Sequence, residues 1–211
     1  VGSEMCIRDS SLSLHYNSPV KFISLFFSLT IMTWGSTWSS YLGPNGNGTA
    51  TGKIPLSIQK EGPKVLWKAN VGKGCSSFTI AGGRAYTVGN RDETDTLWCL
   101  DAKTGEILWK KTYAEKLAPK FYDGGPGATP IVEEGLVYNL SKSGRLSCYD
   151  AESGDEKWVT EFKGDLSGNM PTWGFSSSPV VYGDVLLCLP CSKKGALVAL
   201  NKKTGKPVWS S

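Results

Sequence analysis

The chain has 211 residues, 40% of them hydrophobic and 20% charged, a composition that suits a packed core and excludes wholesale disorder. Its 23 Lys and Arg against 19 Asp and Glu leave a formal charge of +4, too small to mark a nucleic-acid-binding surface. The single histidine, His15, precedes everything that looks folded, which nearly removes histidine-based catalysis. With 25 Gly and 8 Trp, the expected class is all-β, with short aromatic-anchored strands between tight turns.

Residues 1–20 carry neither apolar periodicity nor a cap signal. They read as a non-native leader, with 1–10 resembling a translated artefact at the end of a cut reading frame. Lys21 then precedes an apolar run of 13 residues, Phe22 to Trp34, followed by Gly35, Ser36 and Thr37. That run is shorter than the roughly 18 to 20 residues a spanning helix needs. Its positive flank and small trailing residues fit a secretory signal peptide over 21–37, with a buried strand as the other reading. The expectation is export to a bacterial periplasm or cell surface, with no membrane span in the mature chain. Residues 38–63 form an N-terminal extension.

From residue 64 onward an internal repeat organises the chain. Asp101-Ala-Lys-Thr-Gly105 ends its unit on Trp109, Asp150-Ala-Glu-Ser-Gly154 on Trp158, and Asn201-Lys-Lys-Thr-Gly205 on Trp209. In each, Asp or Asn can accept backbone hydrogen bonds at the turn start, and Gly supplies a positive φ four residues later. That is hairpin chemistry. A second hairpin precedes each of these, around Gly82-Gly83, Glu134-Gly135 and Gly183-Asp184. Two hairpins make four strands, and four strands per unit of about 40 to 50 residues is the pattern of a β-propeller blade. Residues 64–211 therefore hold about three four-stranded antiparallel blades, and Trp67 in Val65-Leu66-Trp67-Lys68 reads as a leftover last strand of an earlier unit.

The repeated Asp-x-x-Thr-Gly-x-x-x-Trp pattern resembles the tryptophan-docking motif of the pyrroloquinoline-quinone (PQQ) repeat, found in quinoprotein dehydrogenases and BamB-type outer-membrane assembly proteins. The resemblance implies a partial propeller, an N-terminal fragment of a longer one. It also implies that Trp109, Trp158 and Trp209 pack against a neighbouring blade. Tyr41-Leu-Gly-Pro-Asn-Gly-Asn-Gly48 resembles the entry segment of exported members.

Chemistry has few candidates. No Walker pattern, no HExxH and no CxxCH occurs. Cys188-Leu-Pro-Cys191 has redox spacing but no following helix, so a structural role or an incidental disulfide is expected. Cys99 and Cys148 align with Ala199 and read as small buried hydrophobes. Asp95 and the pairs Asp92-Glu93 and Glu133-Glu134 read as solvated turn residues, and Lys193, Lys194, Lys202 and Lys203 as a solvated basic edge. The connections 110–126 and 159–175 are long enough to be functional. Their Tyr122, Asp123, Asp165 and Trp173 are the candidate binding-face residues.

The expected function is an exported, noncatalytic scaffold that binds another protein or a small ligand at the propeller face. Neither a cofactor nor a nucleic-acid partner is expected, and an open blade edge should self-associate. The alternative is a fragment of a PQQ- and calcium-dependent dehydrogenase of alcohols or sugars. The vicinal Cys-Cys and the matching calcium and catalytic positions of such enzymes are not found in this sequence.

Overall fold

The computed structural model describes residues 37–50, 64–119, 123–193 and 195–211. The leader, His15, the apolar run, Tyr122 and Lys194 lie outside them. Twelve strands follow one another: β1 (Thr79–Ala81), β2 (Arg84–Arg91), β3 (Thr94–Asp101), β4 (Ile107–Ala114), β5 (Ile131–Glu133), β6 (Leu136–Leu140), β7 (Arg145–Asp150), β8 (Glu156–Glu161), β9 (Val180–Tyr182), β10 (Val185–Cys188), β11 (Val198–Asn201) and β12 (Pro207–Ser210). They form three four-stranded meanders, β1 to β4, β5 to β8 and β9 to β12, with every pairing antiparallel. The protein is an all-β partial propeller.

The same register recurs in each sheet. Cys99 lies opposite Trp109, Cys148 opposite Trp158 and Ala199 opposite Trp209, and in each case the ladder slips by a bulge at the next residue. A small residue under the large indole leaves room for the ring, and Cys99, Cys148 and Ala199 are all fully buried. Central strands β2 and β3 are buried at nearly every position, and the second sheet shares a core with a neighbour on each face. β4 alternates half-buried and exposed positions, and β12 is exposed throughout. Tyr86, Val88 and Leu97 of the first sheet share a core with Val137 and Tyr149 of the second. Leu140, Leu146 and Cys148 of the second share another with Leu186, Val198 and Leu200 of the third. Burial of a side chain of this size contributes about 1.5–3 kcal/mol.

Two features depart from expectation. Val65–Lys68 joins no ladder, although Trp67 takes the place of a unit-closing tryptophan, as described below. β4 runs on to Ala114, so the first long connection begins at Glu115 instead of 110, and β8 runs to Glu161. The outer strand tolerates Lys110 and Lys111 because its edge is wet. Residues 38–39 of the extension lie along the innermost strands: Trp38 exchanges backbone hydrogen bonds with Ile80, and Val132 N donates to Ser39 O at 3.0 Å.

Candidate functional site

Each sheet has two ends. The turn end carries the β1–β2 and β3–β4 type hairpins, and there one contact is made three times. Asp101 Oδ1 accepts from the backbone N–H groups of Lys103 and Thr104, Asp150 Oδ1 from those of Glu152 and Ser153, and Asn201 Oδ1 from those of Lys203 and Thr204. These bonds hold the Asp150 carboxyl down at about 2 and lower that of Asp101. The glycine of each turn lies under the tryptophan of the preceding unit. Trp67 Nε1 donates to Ala102 O, Trp109 Nε1 to Ala151 O and Trp158 Nε1 to Lys202 O, all at 3.1 Å. A Cβ at Gly105, Gly154 or Gly205 would come within 2.5–2.8 Å of the ring above it, and each has φ near +70°. Glycine is thus required twice over, by the turn and by the indole. Trp209 has the same position in its strand and is 44% exposed. The repeat's Asp, Asn and Gly residues thus shape the turns, and Trp109 and Trp158 each bond to the following sheet.

The opposite end carries the long connections. A cavity of about 960 Å³ opens there between the extension and the innermost strands, from the residues that lead into β5 and β9 along to Glu133 at the far end of β5. Tyr41, Leu42 and Trp173 give it apolar surface, Ser39, Ser176 and Ser177 hydroxyls, and Glu133 its one carboxylate. No Lys or Arg lines it. Of the four sequence candidates, Trp173 reaches this cavity and Tyr122 lies outside the described residues. Asp123 is exposed and lines no part of it. Asp165 also lies away from it, with Oδ2 accepting from Glu161 N at 2.7 Å, which closes the turn after β8. The neighbouring Phe175 turns inward, edge-on to Phe162 at 5.1 Å, and caps the second sheet.

Sequence reasoning missed a buried polar junction between the first two sheets at this end. Asp95, expected in solvent, is 0% exposed. Burial pushes its carboxyl up to about 6, opposed by the hydrogen bond from Asn90 and supported by the Glu115 charge. Asp95 Oδ1 accepts from Asn90 Nδ2 at 2.7 Å, and Asn139 Nδ2 donates to Tyr113 Oη at 2.9 Å. Lys202 is a second correction: it is 4% exposed and pairs with Glu134 at 3.0 Å across the second and third sheets. Cys188 and Cys191 are free thiols, the first buried and the second exposed. Burial pushes Cys188 up to about 12, which leaves it a poor nucleophile.

Residues 52–211 match the family model described as outer membrane protein assembly factor BamB. The chain belongs to that family. It is 24% identical over 179 residues to the outer membrane protein assembly factor BamB of Burkholderia pseudomallei strain K96243, covering 69% of this chain and 45% of that protein. It is 24% identical over 190 residues to the polyvinylalcohol dehydrogenase of Sphingopyxis sp. strain 113P3, covering 82% of this chain and 28% of that one. A solved europium-containing methanol dehydrogenase superposes with a TM-score of 0.51 at 18% identity, over 69% of this chain and 26% of the enzyme, a likeness of fold. The chain spans less than half the length of these relatives.

The dehydrogenase resemblance raises PQQ and calcium. A quinone bearing several carboxylates calls for cationic or N–H-rich walls, and its metal for several converging oxygens. The cavity has the reverse, one carboxylate and no cation, so its lining does not fit the pair. Among the described residues no group of three or more His, Cys, Asp or Glu is placed to hold a metal ion. No helix among them is long and apolar enough to cross a membrane.

Proposed function

We propose that this chain is part of an exported, noncatalytic propeller scaffold whose loop end binds a protein or small ligand. The observation that carries the reading is the chemistry of the cavity, where exposed aromatic and hydroxyl groups meet a single carboxylate. Such walls bind by apolar contact and hydrogen bonding, and they offer neither a paired acid and base nor a nucleophile with its activating base. The carboxylates and amide of the repeat are already spent on turn N–H groups. Export is part of the proposal, resting on the signal-peptide pattern over 21–37 and on the printed name of the BamB relative.

The second reading, a piece of a PQQ- and calcium-dependent dehydrogenase, draws on the polyvinylalcohol dehydrogenase relative. Titration of the chain with PQQ and calcium separates the two. Quinone absorbance should show no saturation in the micromolar range, and simple alcohols should give no dye reduction. Saturable micromolar binding with calcium-dependent turnover overturns the scaffold.

A further inference from the structure

Several side-chain acceptors are buried at the junction between the first two sheets. Asp95, one residue into β3, has Oδ1 engaged by Asn90, while Oδ2 is buried without a hydrogen-bond partner. Asn90 Oδ1 and, from the second sheet, Asn139 Oδ1 are buried in the same condition. Idle buried acceptors each carry an uncompensated desolvation cost. A proton on Asp95 would convert one of the three into a donor.

The same junction fastens the start of the long connection after β4. Asn90 Nδ2 divides itself between Asp95 Oδ1 at 2.7 Å and Glu115 O at 2.8 Å. Glu115 N donates to Glu93 O at 3.0 Å, Ser143 Oγ to Glu115 Oε2 at 2.6 Å, and Lys142 Nζ to Lys116 O at 2.8 Å. We propose that Asp95 is a proton-operated catch for this connection, closed while its carboxyl is protonated and loosened when the carboxyl ionises. The step is a single ionisation. The Oδ2–H bond breaks, the proton passes to water, and the negative charge stays on a carboxylate that faces Glu115.

Every element packed on Asp95 bears on that charge. β2 offers Asn90, which steadies it. β4 offers Tyr113, whose hydroxyl also steadies it and is itself flanked by Tyr149. The connection brings the Glu115 carboxylate, which repels it. The β6–β7 turn of the second sheet brings the Lys142 ammonium, already engaged by Lys116 O, which offsets part of the repulsion. Burial outweighs these local groups and carries the carboxyl from its ordinary 3.8 to about 6. The catch therefore changes state between mildly acidic and neutral conditions. The connection that starts at Glu115 reaches the cavity wall at Gly127, so the catch bears on the face on which binding is proposed.

Hydrogen exchange of the peptide spanning 115–119, corrected for the intrinsic pH dependence of exchange and followed from pH 4.5 to 8, reads the catch directly. Protection should fall about tenfold as pH rises through about 6, within the roughly hundredfold limit of a two-unit shift. Asp95→Asn, uncharged at every pH, should hold protection flat. Glu115→Gln should move the midpoint down. A flat wild-type profile, or a step of unchanged midpoint in Asp95→Asn, overturns the proposal. If Asp95→Asn does not fold, an unmoved or raised midpoint in Glu115→Gln overturns it equally.

Discussion

The two ends of these sheets follow opposite rules. At the turn end a glycine, a carbonyl and an indole meet identically three times, and each Asp or Asn is satisfied by neighbouring backbone N–H groups. At the loop end one backbone contact recurs, Ser77 N to Thr129 Oγ1 and Thr129 N to Ser178 Oγ, but Asp95, Lys142, Trp173 and Phe175 each occur once, and buried acceptors are left idle. Little more repetition is needed there, because position is also fixed at the other end. The loop end is free to differ between units, and the chemistry that could recognise a partner is concentrated in it.

The sharpest test of this contrast removes one repeated contact. Trp158→Ala should lower stability by about 2–4 kcal/mol in urea melts, since a half-buried indole bridging two sheets is lost. A loss below about 0.5 kcal/mol would mean the sheets are held elsewhere.

Next comes pH, to which the two ends should respond with opposite sign. Asp95 has a folded value of about 6 against an ordinary 3.8, so the folded state keeps a proton that the unfolded state loses. Stability should therefore fall as pH rises through that window, by up to about 3 kcal/mol, and Asp95→Asn should flatten the slope. Asp150 is depressed to about 2, so its contribution is present above its ordinary value and lost as acid titrates it. Melts at pH 2, 4 and 7 should find the optimum near the middle, and a monotonic rise from 2 to 7 would remove Asp95 from the account.

Gly154→Ala forces a Cβ toward Trp109 at a positive φ and should cost about 1–2 kcal/mol. The smallest effect is expected at Trp209→Ala, below about 0.5 kcal/mol in the same melts, because that indole is largely exposed. Its influence should instead appear as weaker self-association in sedimentation, and a chain that stays monomeric at all concentrations would count against an adhesive edge.

These differences also explain what could be read from sequence. Asp101, Gly105 and Trp109 and their counterparts are local signals at fixed offsets, so three sheets were legible, and Trp67 took its seat without a ladder strand because the seat is defined by the glycine beneath it. The connection after β4 was misplaced because Lys110 and Lys111 look like loop residues when the wet outer strand is not visible. Asp95 and Lys202 were misread for one shared reason: what covers them comes from other sheets and connections, at sequence separations no local pattern records. Trp173 and Phe175 were indistinguishable in sequence because only their backbone geometry sends one outward and the other into the core.

The glycine–indole contact has a direction. Each tryptophan reaches forward to a glycine that lies later in the chain, 38 residues on for Trp67 to Gly105 and 45 for Trp109 to Gly154. During synthesis the indole thus leaves the ribosome before its receiver exists. At the roughly 5 to 20 residues per second of translation, it waits several seconds with its ring uncovered. Each newly made unit ends the wait of the one before and begins its own, so assembly proceeds as a relay from the N-terminus. A pause in translation just after Trp109 or Trp158 should prolong that exposed interval, which makes those codons the points where chaperone binding would matter most.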